Sequence, residues 1–139
     1  DVTADMLDTY KGEMDEVVYR RCRYVVDENQ RLLDACAALE KGDYVTFGQK
    51  MNGSHEGLSR QYEVSCDELD FLADIGHRTD GVLGARMMGG GFGGCTINLV
   101  RAEAYDGYLA EATDRFAHRF GHAPRVIEVN ISQGARRIG

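Results

Sequence analysis

Five of the six residues in Gly89-Gly90-Gly91-Phe92-Gly93-Gly94 are glycine. Two apolar runs flank them, Val82-Leu83-Gly84-Ala85-Arg86-Met87-Met88 before and Cys95-Thr96-Ile97-Asn98-Leu99-Val100 after. Both runs read as strands, which makes the glycines the loop of a β-hairpin. A hairpin turns on one or two glycines. Ordering each glycine costs roughly 0.5–1 kcal/mol more than ordering alanine, so a loop this rich must gain something in return. Close approach of backbone N–H groups to an anion such as a phosphate is one such gain. A loose tip that binds nothing is the alternative. No Lys-Ser/Thr follows the glycines, and they lead into a strand rather than a helix. The P-loop and the dinucleotide fingerprint are therefore both disfavoured.

A chain of 139 residues is one domain with room for one core. Its formal net charge of -7 argues against nucleic acid or an anionic membrane as partner. No apolar run is long enough to span a bilayer, and the N-terminus does not resemble a signal peptide. Cys22, Cys36, Cys66 and Cys95 form no CxxC pair, so they read as reduced, buried structural thiols rather than zinc ligands. These features point to the cytoplasm.

The rest of the chain is mostly helical in pattern. Thr3 is placed to cap a short helix through Tyr10, interrupted by Gly12. The abrupt start fits a cut inside a longer protein or a processed terminus. From Met14 to Leu39, apolar residues Met14, Val18, Cys22, Val25, Leu32, Cys36 and Leu39 recur at helical steps. They predict a buried stripe, with Arg20, Arg23, Asp27, Glu28, Arg31 and Asp34 on the solvated face. Gly42 ends this helix and Asp43 caps the next.

The next helix carries Phe47, Met51, His55 and Leu58 on one face. His55 there reads as a hydrogen-bonded core or interface residue rather than a catalyst. Gly53 and Gly57 leave room for close packing. Ser65 and Glu68 fit a capping box for a helix from Cys66 to about His77 that buries Leu69, Phe71 or Leu72, and Ile75.

After the hairpin, Glu103 to Phe120 is a helix with Tyr105, Leu109, Ala112, Phe116 and Phe120 on one face, stopped by Gly121. His118 and His122 stand at i, i+4, but the helix end between them favours a solvated terminus over a metal site. Arg125 to Ile131 alternates like a third strand, and the tail from Ser132 to Gly139 reads as frayed. Three helices, a hairpin, a helix and a strand give an α+β fold, an antiparallel ferredoxin-like sheet with helices mainly on one face. A fourth strand is missing from that pattern.

The stretch from Gly84 to Thr96 resembles the third conserved motif of galactokinases, members of the GHMP kinase superfamily of small-molecule kinases. Met51-Asn52-Gly53-Ser54-His55 and Tyr62-Glu63-Val64-Ser65-Cys66-Asp67-Glu68-Leu69-Asp70 resemble two further galactokinase segments. Val18 to Val26 resembles the family's long helix. The likeness covers nearly the whole chain and is strongest from about Met51 to Val100. It implies a single GHMP-type C-terminal domain over residues 1–139, with the N-terminal catalytic domain outside this chain. It also implies transfer of the ATP γ-phosphoryl to the 1-hydroxyl of α-D-galactose, with Mg2+ and ATP bound mainly by that other domain.

On this resemblance Gly89, Gly90, Gly91, Phe92, Gly93 and Gly94 line the cleft near phosphates and sugar. No catalytic or metal-binding residue is expected in the chain, which alone would be inactive. An apolar patch is expected where the other domain docks. Two positions depart from the family pattern: Met88 stands where Thr is usual, and Asp67 where Pro is usual. The Asp suits the first turn of a helix; the Met removes a hydroxyl near the loop. Other readings are a kinase of another sugar or small alcohol, a non-catalytic galactokinase-like sugar sensor, and a free-standing regulatory domain that dimerises through its sheet.

Overall fold

The computed structural model describes residues 2–129 and Gly134. Its elements are α1 (Ala4–Tyr10), α2 (Glu16–Glu40), α3 (Tyr44–Arg60), α4 (Asp67–Arg78), β1 (Val82–Met88), β2 (Cys95–Val100) and α5 (Tyr105–Phe120). Short 3-10 turns follow α1 and precede α5. No described helix is long and apolar enough to cross a membrane.

Local chemistry sets most boundaries. The Thr3 hydroxyl accepts the Met6 amide, Asp15 accepts from Val17 and Val18, and Asp43 accepts from Thr46. Each thereby satisfies amides that the first helical turn leaves unpaired. Gly121, at φ 78°, ends α5 between His118 and His122, and the His122 ring turns back to within 5.5 Å of Phe116. The capping box at α4 does not form. The N-cap is Cys66, one residue later than expected, and Ser65 Oγ is buried without a partner. Glu68 sits at the second helical position, where its carboxylate accepts its own amide and is held below the usual range.

β1 and β2 pair antiparallel, Met88 opposite Cys95 and Val82 opposite Val100, with a register shift between Val82 and Gly84. Both strands match the boundaries expected from the sequence. α4 packs on the hairpin, and α5 packs on α4. Ile75, Tyr108 and Ala112 form the core between them, with Phe71, Val82 and Val100 against it. α3 lies along β1, and α2 lies on α3.

Glycine makes α3 thin enough for that position. A Cβ on Gly48 would sit 2.0 Å from Leu83 O, and one on Gly57 would sit 2.4 Å from the Tyr24 ring. Gly53 lies against the Arg31 side chain. The close packing expected at Gly53 and Gly57 is therefore real, and α2 is what they pack against.

Three expectations need correction. First, α2 is turned the other way. Val18, Val25, Leu32 and Leu39 are all exposed, Leu32 to 62%. The supposed outer face points at α3, where Glu28 bonds Arg31 and Ser54 and Asp34 bonds Lys50 at 2.7 Å. The α3 glycines present backbone rather than apolar side chains. Long polar side chains therefore find both stem packing and hydrogen-bond partners there.

Second, residues 123–129 form no strand, and Val129 is 74% exposed. They line the groove opposite β2 without pairing to it; alternation sets which face a side chain takes, and the pairing itself is a long-range choice. Residues 130–131 of that expected strand, and all of the expected frayed tail except Gly134, lie outside the described residues. Among the described residues the sheet has two strands. Third, the cysteines are free but not buried. Cys36 is exposed and the other three are half-buried.

Candidate functional site

The hairpin tip brings Gly89, Gly90, Gly91, Phe92, Gly93 and Gly94 together as one exposed loop. Every one of them except Gly90 has positive φ. Phe92, at φ 58° and 78% exposed, is a non-glycine residue in the left-handed region. That costs of order 1–3 kcal/mol, and the surrounding structure must hold it.

Val64 holds it. The Phe92 amide donates to Val64 O at 2.7 Å. A Cβ on Gly91 would lie 2.0 Å from that same oxygen, so at φ 86° only glycine fits there. Val64 is fixed in turn. Its amide donates to Leu58 O at the end of α3. Its neighbour Glu63, at φ 62°, takes Arg20 at 2.7 Å and Arg21 at 3.2 Å from α2. By contrast, nothing lies within 4 Å of a Cβ added at Gly89, Gly90 or Gly93. The loop is clamped at one point and open on the rest of its surface.

β1, the strand that feeds the loop, has side chains on its outer edge where another strand would pair. Asn52 Oδ1 accepts the Ala85 amide at 2.8 Å, and His55 Nδ1 accepts the Met87 amide at 3.1 Å. His77 Nε2 lies 2.8 Å from Ala85 O, to which it donates. Three side chains from α3 and α4 thus satisfy an edge that main chain would otherwise occupy.

His55 is 5% exposed. Because its Nδ1 accepts an N–H, its neutral form carries the proton on Nε2. That nitrogen is 3.2 Å from Asp70 Oδ1, off the line of a good hydrogen bond. Asp70 Oδ2 accepts from Ser59 at 2.8 Å. Burial pushes the His55 pKa down from the ordinary 6.5; Asp70 opposes the shift, and His77 and Arg86 add to it.

A groove of about 1370 Å3 opens beside the loop. Met88, Phe92, Cys95, Leu109 and Phe116 line it together with residues 124–129. Its walls are largely apolar. Open backbone suited to an anion lies instead on the loop itself.

The sequence marked the six loop residues and read His55 as a hydrogen-bonded core residue. It gave no role to Val64, Asn52 or His77. The one available signal for Asn52 was its position, three residues before His55 on the same helical face.

Comparison with known proteins fits this architecture. The family described as GHMP kinases C terminal matches residues 35–117. A galactokinase of Clostridium beijerinckii is 41% identical over 125 residues, 90% of this chain and 32% of that protein. A galactokinase of Staphylococcus carnosus is 40% identical over 138 residues, 99% of this chain and 35% of that one. The chain thus spans about a third of the length of these relatives. Among solved structures, Lactococcus lactis galactokinase complexed with galactose superposes with a TM-score of 0.83 at 35% identity, over 88% of this chain and 32% of that one. L. major mevalonate kinase in complex with R-mevalonate superposes with a TM-score of 0.57 at 27% identity, over 78% of this chain and 32% of that one. The fold is therefore shared with a galactokinase and a mevalonate kinase, and the chain belongs to the GHMP kinases through their C-terminal family.

Proposed function

We propose that this chain is the C-terminal domain, residues 1–139, of a galactokinase that acts on galactose and ATP in the cytoplasm. The observation that carries the reading is the loop Gly89–Gly94, fixed at Val64 and free of neighbours beside Gly89, Gly90 and Gly93. Such a loop lets a phosphate or a sugar hydroxyl approach bare backbone. Similarity to galactokinases over nearly the full chain supports galactose as the substrate. The apolar groove beside the loop is the surface on which the second domain would rest.

When bound, ATP supplies the phosphoryl group and galactose the accepting hydroxyl. The work left to this chain is positioning. Phosphoryl transfer depends on alignment and on stabilising charge more than on covalent help from the protein. The loop residues hold donors in place, and Val64 keeps the loop from collapsing into the cleft. No group of three or more His, Cys, Asp or Glu among the described residues is placed to hold a metal ion. As the family resemblance implies, the proposal leaves Mg2+ and the catalytic groups to the N-terminal domain.

A sugar sensor without phosphoryl transfer is the second reading. Met88, half-exposed at the entrance to the loop, favours it, because it puts a thioether where the resembling family has a hydroxyl.

Galactose-dependent ADP release from Mg-ATP, measured on the full-length protein beside this 139-residue chain, tests the assignment. Turnover by the long form alone is expected. Binding of both ligands without turnover would favour the sensor. Turnover by the short chain would overturn the division of labour.

A further inference from the structure

We propose that His55 is a positioning residue for the glycine loop. Its Nδ1 lone pair holds the Met87 amide and so sets where Met88 and Gly89 leave β1. The proposal rests on the reading of that loop as the wall of a phosphoryl-transfer cleft.

The geometry carries it in three steps. Met87 is the penultimate residue of β1, fully buried, and its N–H points away from β2 toward α3. The Asn52 and His77 contacts fix the strand at Ala85, two residues earlier. The His55 contact is therefore the last tether on that edge before the loop begins. Beyond it, the next fixed point is the Phe92 amide on Val64. The path of Met88 to Gly91 is strung between these two anchors.

The tether is also conditional. A protonated imidazole has no lone pair on Nδ1 and must release Met87. Asp70, Asp74 and His77 on α4, Arg86 on β1, and Glu56 and Arg60 on α3 surround the ring. Among these, His77 also braces β1, at Ala85. Its contact survives protonation, because it donates to Ala85 O.

The test uses two amide replacements in the full-length protein. Asn carries its amide on Cγ, where the imidazole carries Nδ1; Gln carries it one bond farther out, at the position of Nε2. H55N is expected to keep the Met87 amide protected from hydrogen exchange and to keep kcat within about threefold of wild type. H55Q is expected to lose that protection and roughly tenfold or more in kcat, the size of effect that misplaced positioning groups produce. Similar protection and similar kcat in the two variants would overturn the proposal. The wild-type protein supplies a test that needs no substitution. Met87 protection should fall as pH is lowered through the His55 titration while Ala85 protection holds; parallel loss at both amides would overturn it. If the wild-type protein proves not to phosphorylate galactose, the enzymatic reading fails by itself. The Asn–Gln contrast at the Met87 amide then still decides whether His55 positions the loop.

Discussion

The two strands of one hairpin live in different surroundings. Gly84, Ala85 and Met87 of β1 are buried, whereas no residue of β2 is, and Ile97 is 41% exposed. β1 is held by α3 and α4 through Asn52, His55 and His77, and its loop by Val64. β2 has β1 as its one strand neighbour among the described residues, sets Val100 against the core of α4 and α5, and lines the groove. The difference teaches where order resides in this domain. The strand leading into the glycine loop is fixed by side chains of α3 and α4, and the strand leading out borders the groove.

Substitutions can break that contrast, and the largest effect is expected at the loop. Gly91→Val places a Cβ against Val64 O at a backbone angle only glycine adopts easily. On the proposed function, the full-length protein should lose about a hundredfold or more in turnover, with helix content near native by circular dichroism. Retained turnover would show that the clamp at Val64 is not needed.

Next comes the layer behind β1. Gly48→Val would drive α3 off Leu83, and overpacking of this kind should cost about 3 kcal/mol in urea denaturation. A loss no larger than that of an ordinary surface change would mean that α3 can back away from the strand.

A smaller effect is expected from pH. The folded pKa of His55 lies below its unfolded value of 6.5. Its contribution to stability is therefore fully present above 6.5 and declines as pH falls below that toward the folded pKa, where it levels off. Urea midpoints measured downward from about pH 7.5 should show this decline, and H55N should remove it. Asp34, Asp43 and Glu68 have carboxyl pKa values held low by hydrogen bonds. Their contributions are lost only in the more acid carboxylate range, which separates the two effects. The smallest change belongs to the open side: Ile97→Val should stay within about 0.5 kcal/mol. A larger loss there would mean that β2 is covered after all.

How legible all this was depends on which physical signal each element uses. Thr3, Asp43 and Gly121 act within one helical turn, so their roles can be read from neighbouring letters. The hairpin and its loop are equally local. The orientation of α2 is not. Its heptad of Val18, Val25, Leu32 and Leu39 marks an apolar stripe, but periodicity cannot say which face a partner covers. Two glycines on α3 reverse the usual rule by opening the helix to Arg31 and Tyr24, and Ser54 beside them takes Glu28. Over its described part, 125–129, the expected third strand failed because alternation describes a strand's two faces, whereas pairing is a long-range choice. The edge braces Asn52 and His77 are long-range contacts, and only the three-residue step from Asn52 to His55 hints at one of them.

The thinness of α3 has a consequence for how the domain can change over generations. Gly48 and Gly57 leave no slack between α2 and β1, so bulk cannot be added on either side unless the other side yields. Drift along this helix is therefore a matter of paired moves, in which a larger residue at 57 waits on a smaller one at Tyr24. The exposed α2 stripe carries no such coupling. It is free to be rewritten letter by letter, and with it whatever surface the rest of the protein presents to the domain.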